Sequence, residues 1–188
     1  LAREDASVGI RHDNVVHNKR ALVRRIRDLL EEYHQPVLIE RYIEGRELYD
    51  GVMGNAHLQV FPVWELVMDK MPDEARRIAT ERVKWSRKYQ DKYGICSCEA
   101  RNLPDGVVDH IQHLAKRVYR ALGLSGYARI DMRMDKDGNV YVLEANPNPQ
   151  IATGEDFADS AEKADLAYKD LLQELLHVGL RWRPAQAA

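Results

Sequence analysis

The feature that most constrains the fold of this chain is a pair of alternating segments, GYARIDMRM and NVYVLEAN, separated by Asp-Lys-Asp-Gly. Alternation of apolar and polar residues predicts two strands, because successive side chains of a strand point to opposite faces. Asp137-Gly138 is typical of a two-residue turn that joins antiparallel strands. With that turn, Lys136 pairs with Asn139, and the register of the whole hairpin follows.

The far end of this predicted ladder carries charge. The register places Asp131 opposite Glu144 and Arg129 opposite Asn146, and strand periodicity puts Val142 on the same face as Glu144. Opposed Cβ atoms lie about 4.5–5.5 Å apart, so two carboxylates in these positions repel each other. Two carboxylates and an amide oxygen are also ligands that Mg²⁺ prefers. The hairpin therefore predicts a magnesium site, with solvated strand carboxylates as the alternative.

Composition limits the class of protein. The 188 residues, 45% of them hydrophobic, suffice for one globular domain or two small lobes. A net charge of −2 at pH 7 gives no overall field that favours nucleic acid or a membrane surface. Cys96 and Cys98 lie too close for a disulfide and are too few for zinc, which fits a reducing, cytoplasmic setting. We expect neither an export signal nor a membrane span.

Helical and strand periods alternate along the chain and predict a mixed α and β domain with two lobes. Helices are predicted after an N-cap at Asn18, over 105–123 with Gly123 at the C-terminal cap, and over 162–180. Strands are predicted over Val37–Ile43, Glu47–Met53 and 57–66. The stretch from Met68 to Arg101 lacks a clear period, and we expect a long loop with at most partial helix, of the kind that forms lids.

Three segments in this order resemble the ATP-grasp superfamily, and within it the D-alanine–D-alanine ligase-like branch. REDASVGI resembles the phosphate-covering loop, VLIERYIEGRELYDGVMG the nucleotide-hinge segment, and GYARIDMRMDKDGNVYVLEANPNP the metal hairpin. The resemblance implies an α+β ATP-grasp fold, with antiparallel sheets, packed helices and two lobes around a nucleotide cleft. It also implies that residues 1–188 form an ATP-grasp domain without its N-terminal strands and the substrate domain that precedes them in the family.

The resemblance assigns the hairpin residues to metal and charge. It implies that Asp131 and Glu144 bind one Mg²⁺, that Glu144 and Asn146 bind a second, and that Mn²⁺ is an alternative to Mg²⁺. Arg129 would stabilise negative charge on the acyl oxygens when an amine attacks. An ion pair between Arg129 and Asp131 or Glu144 is the structural alternative, and the two roles are compatible.

The resemblance further implies that seven residues contact ATP: Glu40, Tyr42, Ile43, Glu47, Lys84, Leu143 and Ser7. Glu40 would accept from the adenine amino group, and the backbone around Tyr42 and Ile43 would complete the adenine contact. Glu47 would bind the ribose hydroxyls. Lys84 would reach a phosphate, and Ser7 would belong to the loop that closes over the terminal phosphates, so that both join Arg129 as catalytic residues. Without the resemblance, the two glutamates would be assigned to solvent and Leu143 to a core.

The implied function is an ATP-dependent ligase that joins a carboxylate to an amine through an acyl phosphate, with amino acids as the expected substrates. A homodimer is compatible with the resemblance. Gln150 stands where these ligases usually have glycine, so we expect an acceptor site of different shape. The alternative function is a truncated or non-catalytic module that binds Mg-ATP.

Overall fold

The computed structural model describes residues 1, 7–72 and 75–183. The chain divides into two compact units. The first unit comprises Leu1–Glu44 and Val67–Cys96, and the second comprises Gly45–Leu66 and Ser97–Ala188. Within the described residues, none of the helices is both long and apolar enough to cross a membrane.

The helices of the first unit are α1 (Lys19–Tyr33), α2 (Glu81–Trp85) and α3 (Arg87–Tyr93), with a 3₁₀ turn at His12–Asn14. The predicted N-cap is confirmed, because the Asn18 side chain accepts a hydrogen bond of 2.9 Å from the Ala21 N–H. The predicted strand over Val37–Ile43 is wrong: this segment takes part in no ladder. β-branched residues favour a strand only where a neighbour offers hydrogen bonds, and here Leu38 and Ile39 are exposed instead.

Among the described residues there are six strands: β1 (Arg46–Met53), β2 (Gln59–Val60), β3 (Trp64–Met68), β4 (Ile95–Glu99), β5 (Tyr127–Met134) and β6 (Val140–Asn146). They form one sheet in the order β4-β3-β1-β5-β6, and β2 pairs with β1. The predicted strand over 57–66 is broken into β2 and β3, since Pro62 between them has no N–H to donate to a ladder. Strand β4 was not predicted, because its sequence ICSCE lies within an aperiodic stretch.

The hairpin between β5 and β6 has a different turn from the predicted one. Met134 pairs with Val140, and the Asp135 N–H donates to the Asn139 carbonyl at 3.0 Å, so the loop between them has three residues, 136–138, rather than two. The Asp135 carboxylate accepts from two backbone N–H groups at 2.9 Å each, and Gly138 takes the left-handed conformation at φ 83°. A three-residue loop of this kind is a common hairpin connection. The predicted pairing of Lys136 with Asn139 is therefore wrong.

A bulge further along the hairpin compensates for this difference. The register shifts between Asp131 and Met132, with Met132 opposite Val142 but Asp131 opposite Glu144. One residue of β6 is thereby left over, as in a β-bulge. The predicted pairing of Asp131 with Glu144 is confirmed, whereas the prediction that Val142 shares a face with Glu144 is wrong. Asp131 and Met132 are adjacent on β5, so their side chains point to opposite faces of the sheet. Their partners Glu144 and Val142 therefore also lie on opposite faces.

One face of the sheet packs against the predicted helix α4 (Val107–Ala121). Its core includes the fully buried side chains of Leu48, Val52, Ile130, Met132, Ile111, Ala115 and Tyr119. Gly123 follows the helix with φ 64°, which confirms the predicted capping position. Because α4 takes up this face, the alternate residues of β1 and β5 are directed to the other face.

Helices α5 (Asp156–Lys163) and α6 (Tyr168–Leu180) replace the single helix predicted over 162–180. Asp165 adopts a left-handed conformation at φ 60°, which ends α5. Phe157 of α5 packs edge-on against Phe61, with ring centroids 5.3 Å apart. A Cβ on Gly51 of β1 would lie 2.8 Å from the Phe61 ring and 3.2 Å from the Phe157 ring. The missing side chain of Gly51 therefore allows α5 to approach the sheet.

Candidate functional site

The candidate site is a row of charged side chains on β5, all within the second unit. Arg129, Asp131 and Arg133 alternate with Ile130 and Met132, which are fully buried against α4. The three charged residues therefore share the opposite face. Side chains of β1 and β6 flank this row, so that the row is built by three adjacent strands.

Asp131 lies at the centre of the row. It pairs with Tyr49 on β1 and with Glu144 on β6, and its own exposure is only 5%. Two carboxylates thus lie opposite each other in the ladder, as the sequence predicts. The same register puts Asn146 opposite Arg129, so the residues predicted to bind metal and their neighbouring guanidinium are brought together.

The amide of Asn146 is held by the loop that follows β6. Its Oδ1 atom accepts from the Asn148 N–H at 3.0 Å. The Asn148 Oδ1 atom in turn accepts from the Tyr127 hydroxyl at 2.8 Å. These two hydrogen bonds fix the direction of an amide oxygen that the sequence assigns to a metal.

Arg129 is held by two carboxylates and a ring. Its Nε and Nη2 atoms donate to the two oxygens of Asp131 at 2.7 and 2.8 Å, and its Nη1 atom donates to Asp156 at 3.2 Å. The guanidinium lies over the Tyr49 ring, 4.6 Å from the centroid, a favourable cation–π arrangement. The ion pair with Asp131, which is the structural alternative for Arg129, is therefore present, and Arg129 is 14% exposed.

The electrostatics of this cluster follow from burial and from its charges. Burial by itself would lower the pKa of Arg129, but hydrogen bonding to Asp131 and the charges of Asp131 and Asp156 outweigh it and raise the pKa. Burial raises the pKa of Asp156, and the Ser97 side chain and Arg129 oppose that effect. Burial, with the charge of Glu47 next, raises the pKa of Tyr49 well above its usual range.

Glu47, which the sequence assigns to the ribose, also belongs to this face. Its carboxylate accepts from Arg133 Nη1 at 3.0 Å and from the Tyr49 hydroxyl at 3.0 Å. Arg133 also donates to the Gly45 carbonyl at 2.8 Å. The ion pair is buried, with Arg133 5% and Glu47 11% exposed, so Glu47 is oriented by the protein itself.

The residues predicted to bind magnesium fit that ion in their chemistry. Each oxygen of Asp131 accepts one hydrogen bond from Arg129, and a carboxylate oxygen has a second lone pair to offer. Glu144 is exposed and Asn146 half-buried, and both supply hard oxygen atoms. No group of three or more His, Cys, Asp or Glu in the described ranges could hold a metal, so any ion here would rely on two carboxylates and the amide.

The residues predicted to contact ATP in the first unit lie as follows. Glu40 is exposed, Tyr42 is half-buried and Ile43 is 8% exposed. Lys84 is half-buried on α2, and Ser7 has a left-handed conformation at φ 64°. Residues 3–6 of the predicted phosphate-covering loop lie outside the described residues.

Leu143, which the sequence assigns to the adenine, belongs to the second unit. It lies beside the register shift of β6 and is 44% exposed. An apolar side chain with that much surface in water is available to a ligand, unlike the core leucine that is its alternative. Its predicted contact with adenine stays a prediction.

The sequence did not predict two residues of the cluster, Asp156 and Tyr49. Asp156 is separated from Arg129 by 27 positions, and Tyr49 is an ordinary strand aromatic. An acidic pair before the apolar spacing of Phe157, Ala158 and Ala161 is a typical helix start and could have predicted α5. It carries no information on which strand α5 packs against.

A model of the family described as "D-ala D-ala ligase C-terminus" matches residues 1–177. A D-alanine–D-alanine ligase of Carboxydothermus hydrogenoformans is 30% identical over 182 residues, which are 96% of this chain and 54% of that protein. The chain therefore spans about half the length of the curated relatives it matches.

Solved structures agree with this match. A D-alanine–D-alanine ligase from Bacillus anthracis, complexed with ATP, superposes with a TM-score of 0.66 at 25% identity, covering 88% of this chain and 48% of that one. The D-alanine–D-alanine ligase from Coxiella burnetii has a TM-score of 0.68 at 19% identity, covering 88% of this chain and 40% of that one. The predicted α+β ATP-grasp fold of this branch is confirmed by these structures.

Proposed function

The chain belongs to the D-ala D-ala ligase C-terminus family, and from this premise we propose that it is the nucleotide-binding and metal-binding part of an ATP-dependent carboxylate–amine ligase. In the proposed reaction, a substrate carboxylate takes the γ-phosphoryl group of ATP and forms an acyl phosphate, with release of ADP. An amine then attacks the acyl carbon, phosphate leaves, and an amide bond forms. Small carboxylates and amines, amino acids in the first instance, are the proposed substrates.

The observation that carries the proposal is the direct opposition of Asp131 and Glu144 on neighbouring strands, beside Arg129. Two like charges in a strand pair are destabilising by themselves. Arg129 offsets one of them, and a divalent cation bound by Asp131, Glu144 and Asn146 would offset the other. Such an ion, when bound, would neutralise charge on the ATP phosphates.

The chain's own residues would contribute position and charge. Arg129 presents a guanidinium that does not deprotonate, and its direction is fixed before substrate arrives, as electrostatic stabilisation of an acyl oxyanion requires. The Asn148 N–H and the Tyr127 hydroxyl hold the loop after β6, which keeps the Asn146 oxygen oriented. No covalent protein nucleophile is needed for this reaction.

The roles proposed for the other residues follow from the family. We assign the adenine to Glu40, Tyr42, Ile43 and Leu143, the ribose to Glu47, and the phosphates to Lys84 and Ser7. The half-buried Lys84 and the left-handed Ser7 are compatible with these roles. The assignments that rest on a side chain, those of Glu40, Glu47, Lys84 and Leu143, predict weaker nucleotide binding when that side chain is truncated.

The experiment that tests the proposal is calorimetric titration of the chain with a non-hydrolysable ATP analogue, with and without Mg²⁺. We expect binding that depends on Mg²⁺ and that Glu144→Gln weakens at least tenfold, because the substitution removes one of the two charges that face the ion. The matched control is Glu162→Gln, an exposed glutamate on α5 that loses the same charge. Its affinity should equal that of the unmodified chain.

Turnover is measured separately, as ADP release with mixtures of amino acids. Mg²⁺-dependent binding with ADP release that requires an amino acid supports the ligase. Binding without turnover by this chain supports its nucleotide-binding role, and turnover is then measured in the full-length gene product. Binding without turnover there would reduce the function to a nucleotide-binding module. Absence of binding, or equal losses in Glu144→Gln and Glu162→Gln, would refute a nucleotide site on this hairpin.

A further inference from the structure

The buried ion-pair cluster around Arg129 contains a carboxylate with no role in the proposed function. Asp156 is the first residue of α5, and its side chain is 17% exposed. It reaches Arg129 Nη1 at 3.2 Å from an element that is separate in the sequence from the hairpin.

We propose that Asp156 is a positioning residue that fixes the direction of the Arg129 guanidinium for the proposed acyl transfer. Asp131 cannot do this alone, because it lies two residues from Arg129 on the same strand and holds only the edge formed by Nε and Nη2. The side chains of Arg129 and Asp131 could change direction together as a bonded pair on β5. A hydrogen bond from Arg129 to Asp156 on a different element prevents that movement. This inference rests on the proposed function for its purpose but not for its geometry.

The helix that carries Asp156 is itself anchored to the sheet. Phe157, the next residue, is 1% exposed and packs against the rings of Phe61 and Tyr127. The absence of a side chain at Gly51, directly opposite Arg129 on β1, gives Phe157 the space to do so. The distance between Asp156 and Arg129 is therefore set by core packing.

The contacts of Arg129 also define what it can offer a substrate. A guanidinium has five N–H groups. Three of them donate to Asp131 and Asp156, which leaves one on Nη1 and one on Nη2 within the described part of the chain. The ring of Tyr49 covers one face of the guanidinium. Asp156 thus determines which N–H of Nη1 remains for an oxyanion.

The test follows the guanidinium directly in the 188-residue chain. Phenylglyoxal modifies arginines that can leave their partners, and mass spectrometry gives the rate at Arg129. Asp156→Ala removes a hydrogen bond between charged groups, so we expect modification of Arg129 to be about tenfold faster. Asp156→Asn keeps the volume and one acceptor oxygen, and should give an intermediate rate.

The matched control is Asp159→Ala, one turn further along α5, whose carboxylate accepts from the Gly154 N–H and does not contact Arg129. We expect no change in the rate at Arg129. Arginine-selective NMR gives a second readout: separate Nη proton signals of Arg129 in the unmodified chain should merge in Asp156→Ala but stay separate in Asp159→Ala.

Unchanged rates and spectra in Asp156→Ala would overturn the proposal, and so would equal acceleration in both alanine variants, since α5 would then act only as a structural support. Acceleration confined to the Asp156 variants supports it. Absence of nucleotide binding by the unmodified chain would refute the proposed function, whereas the Arg129 measurements would still decide the role of Asp156.

Discussion

Asp50 is a carboxyl group buried on an apolar face of the sheet, and replacing it with an apolar residue should stabilise the protein. It lies on β1 between Leu48 and Val52, on the face that packs against α4, and its exposure is 0%. Neither of its oxygens has a hydrogen-bond partner among the described residues. Burial raises its pKa well above the ordinary value of 3.8, and the charge of Lys116 opposes this only in part.

The magnitude has two components. A neutral carboxyl group that loses its hydrogen bonds to water costs about 1–3 kcal/mol, and this cost applies at any pH. The second component depends on pH. Below pH 3.8 both states are protonated, so the shifted pKa contributes nothing. As the pH rises through 3.8 towards the folded pKa, only the unfolded state ionises, and stability falls by about 1.4 kcal/mol per pH unit.

Asp50→Val removes both costs with a side chain of similar shape that suits a strand. We expect Asp50→Val to be more stable than the unmodified chain by about 1–3 kcal/mol near pH 4, and the difference to grow as the pH rises. Asp50→Asn removes only the pH-dependent component. Its gain in stability over the unmodified chain should therefore be smaller than that of Asp50→Val at every pH from 4 to 8. Chemical denaturation from pH 4 to 8 measures these differences, and Trp64, which is 8% exposed, is a suitable fluorescent reporter.

Asp109→Asn is the matched control, because Asp109 is an exposed aspartate in the first turn of α4. It removes the same charge without relieving a buried group, and its stability should be within about 0.5 kcal/mol of the unmodified chain at each pH. A stability difference for Asp50→Val that does not change with pH would refute the linkage argument. A valine variant less stable than the unmodified chain would show that the carboxyl group has a partner in solution.

Three further substitutions test the packing. Gly51→Ala should destabilise the protein by about 1–3 kcal/mol in thermal melts, because the added Cβ would overlap two phenylalanine rings. Gly179→Ala on α6 is the control, since open space surrounds that position, and it should not destabilise the protein. Arg133→Met should cost about 3–5 kcal/mol in urea titrations, since it removes the cation from a buried ion pair and leaves the charge of Glu47 without it. Arg11→Met breaks an exposed ion pair and should cost about 1 kcal/mol or less. Asn18→Ala removes the cap of α1 and should cost about 1 kcal/mol, with helix loss by circular dichroism.

The hairpin shows how a correct prediction can rest on an incorrect step. Alternation predicted β5 and β6, and the charged pair of Asp131 and Glu144 is confirmed. The turn is one residue longer than predicted, because the Asp135 side chain accepts from the N–H groups of Asp137 and Asn139 and so stabilises a three-residue loop. The bulge restores the register before the charged pair, and it also moves Val142 to the other face.

The sequence by itself determined the elements whose signals are local. The Asn18 cap, the apolar spacing of α4 and the alternation of β5 each reflect interactions within a few residues, so the chain encodes them directly. The ordered motifs likewise predicted the family, which the match over residues 1–177 confirms. The assignment of individual residues to nucleotide and metal stays a prediction.

Only the tertiary structure decided which distant residues meet. Three features depend on which element packs against which: the absence of a ladder at 37–43, the burial of Asp50 without a hydrogen-bond partner in the described part of the chain, and the contact of Asp156 with Arg129. A strand requires a neighbour, and a carboxylate takes its environment from the face on which it lies. Core packing around Gly51 determines where α5 lies on the sheet and therefore which charged groups surround Asp156. No short stretch of sequence contains that information.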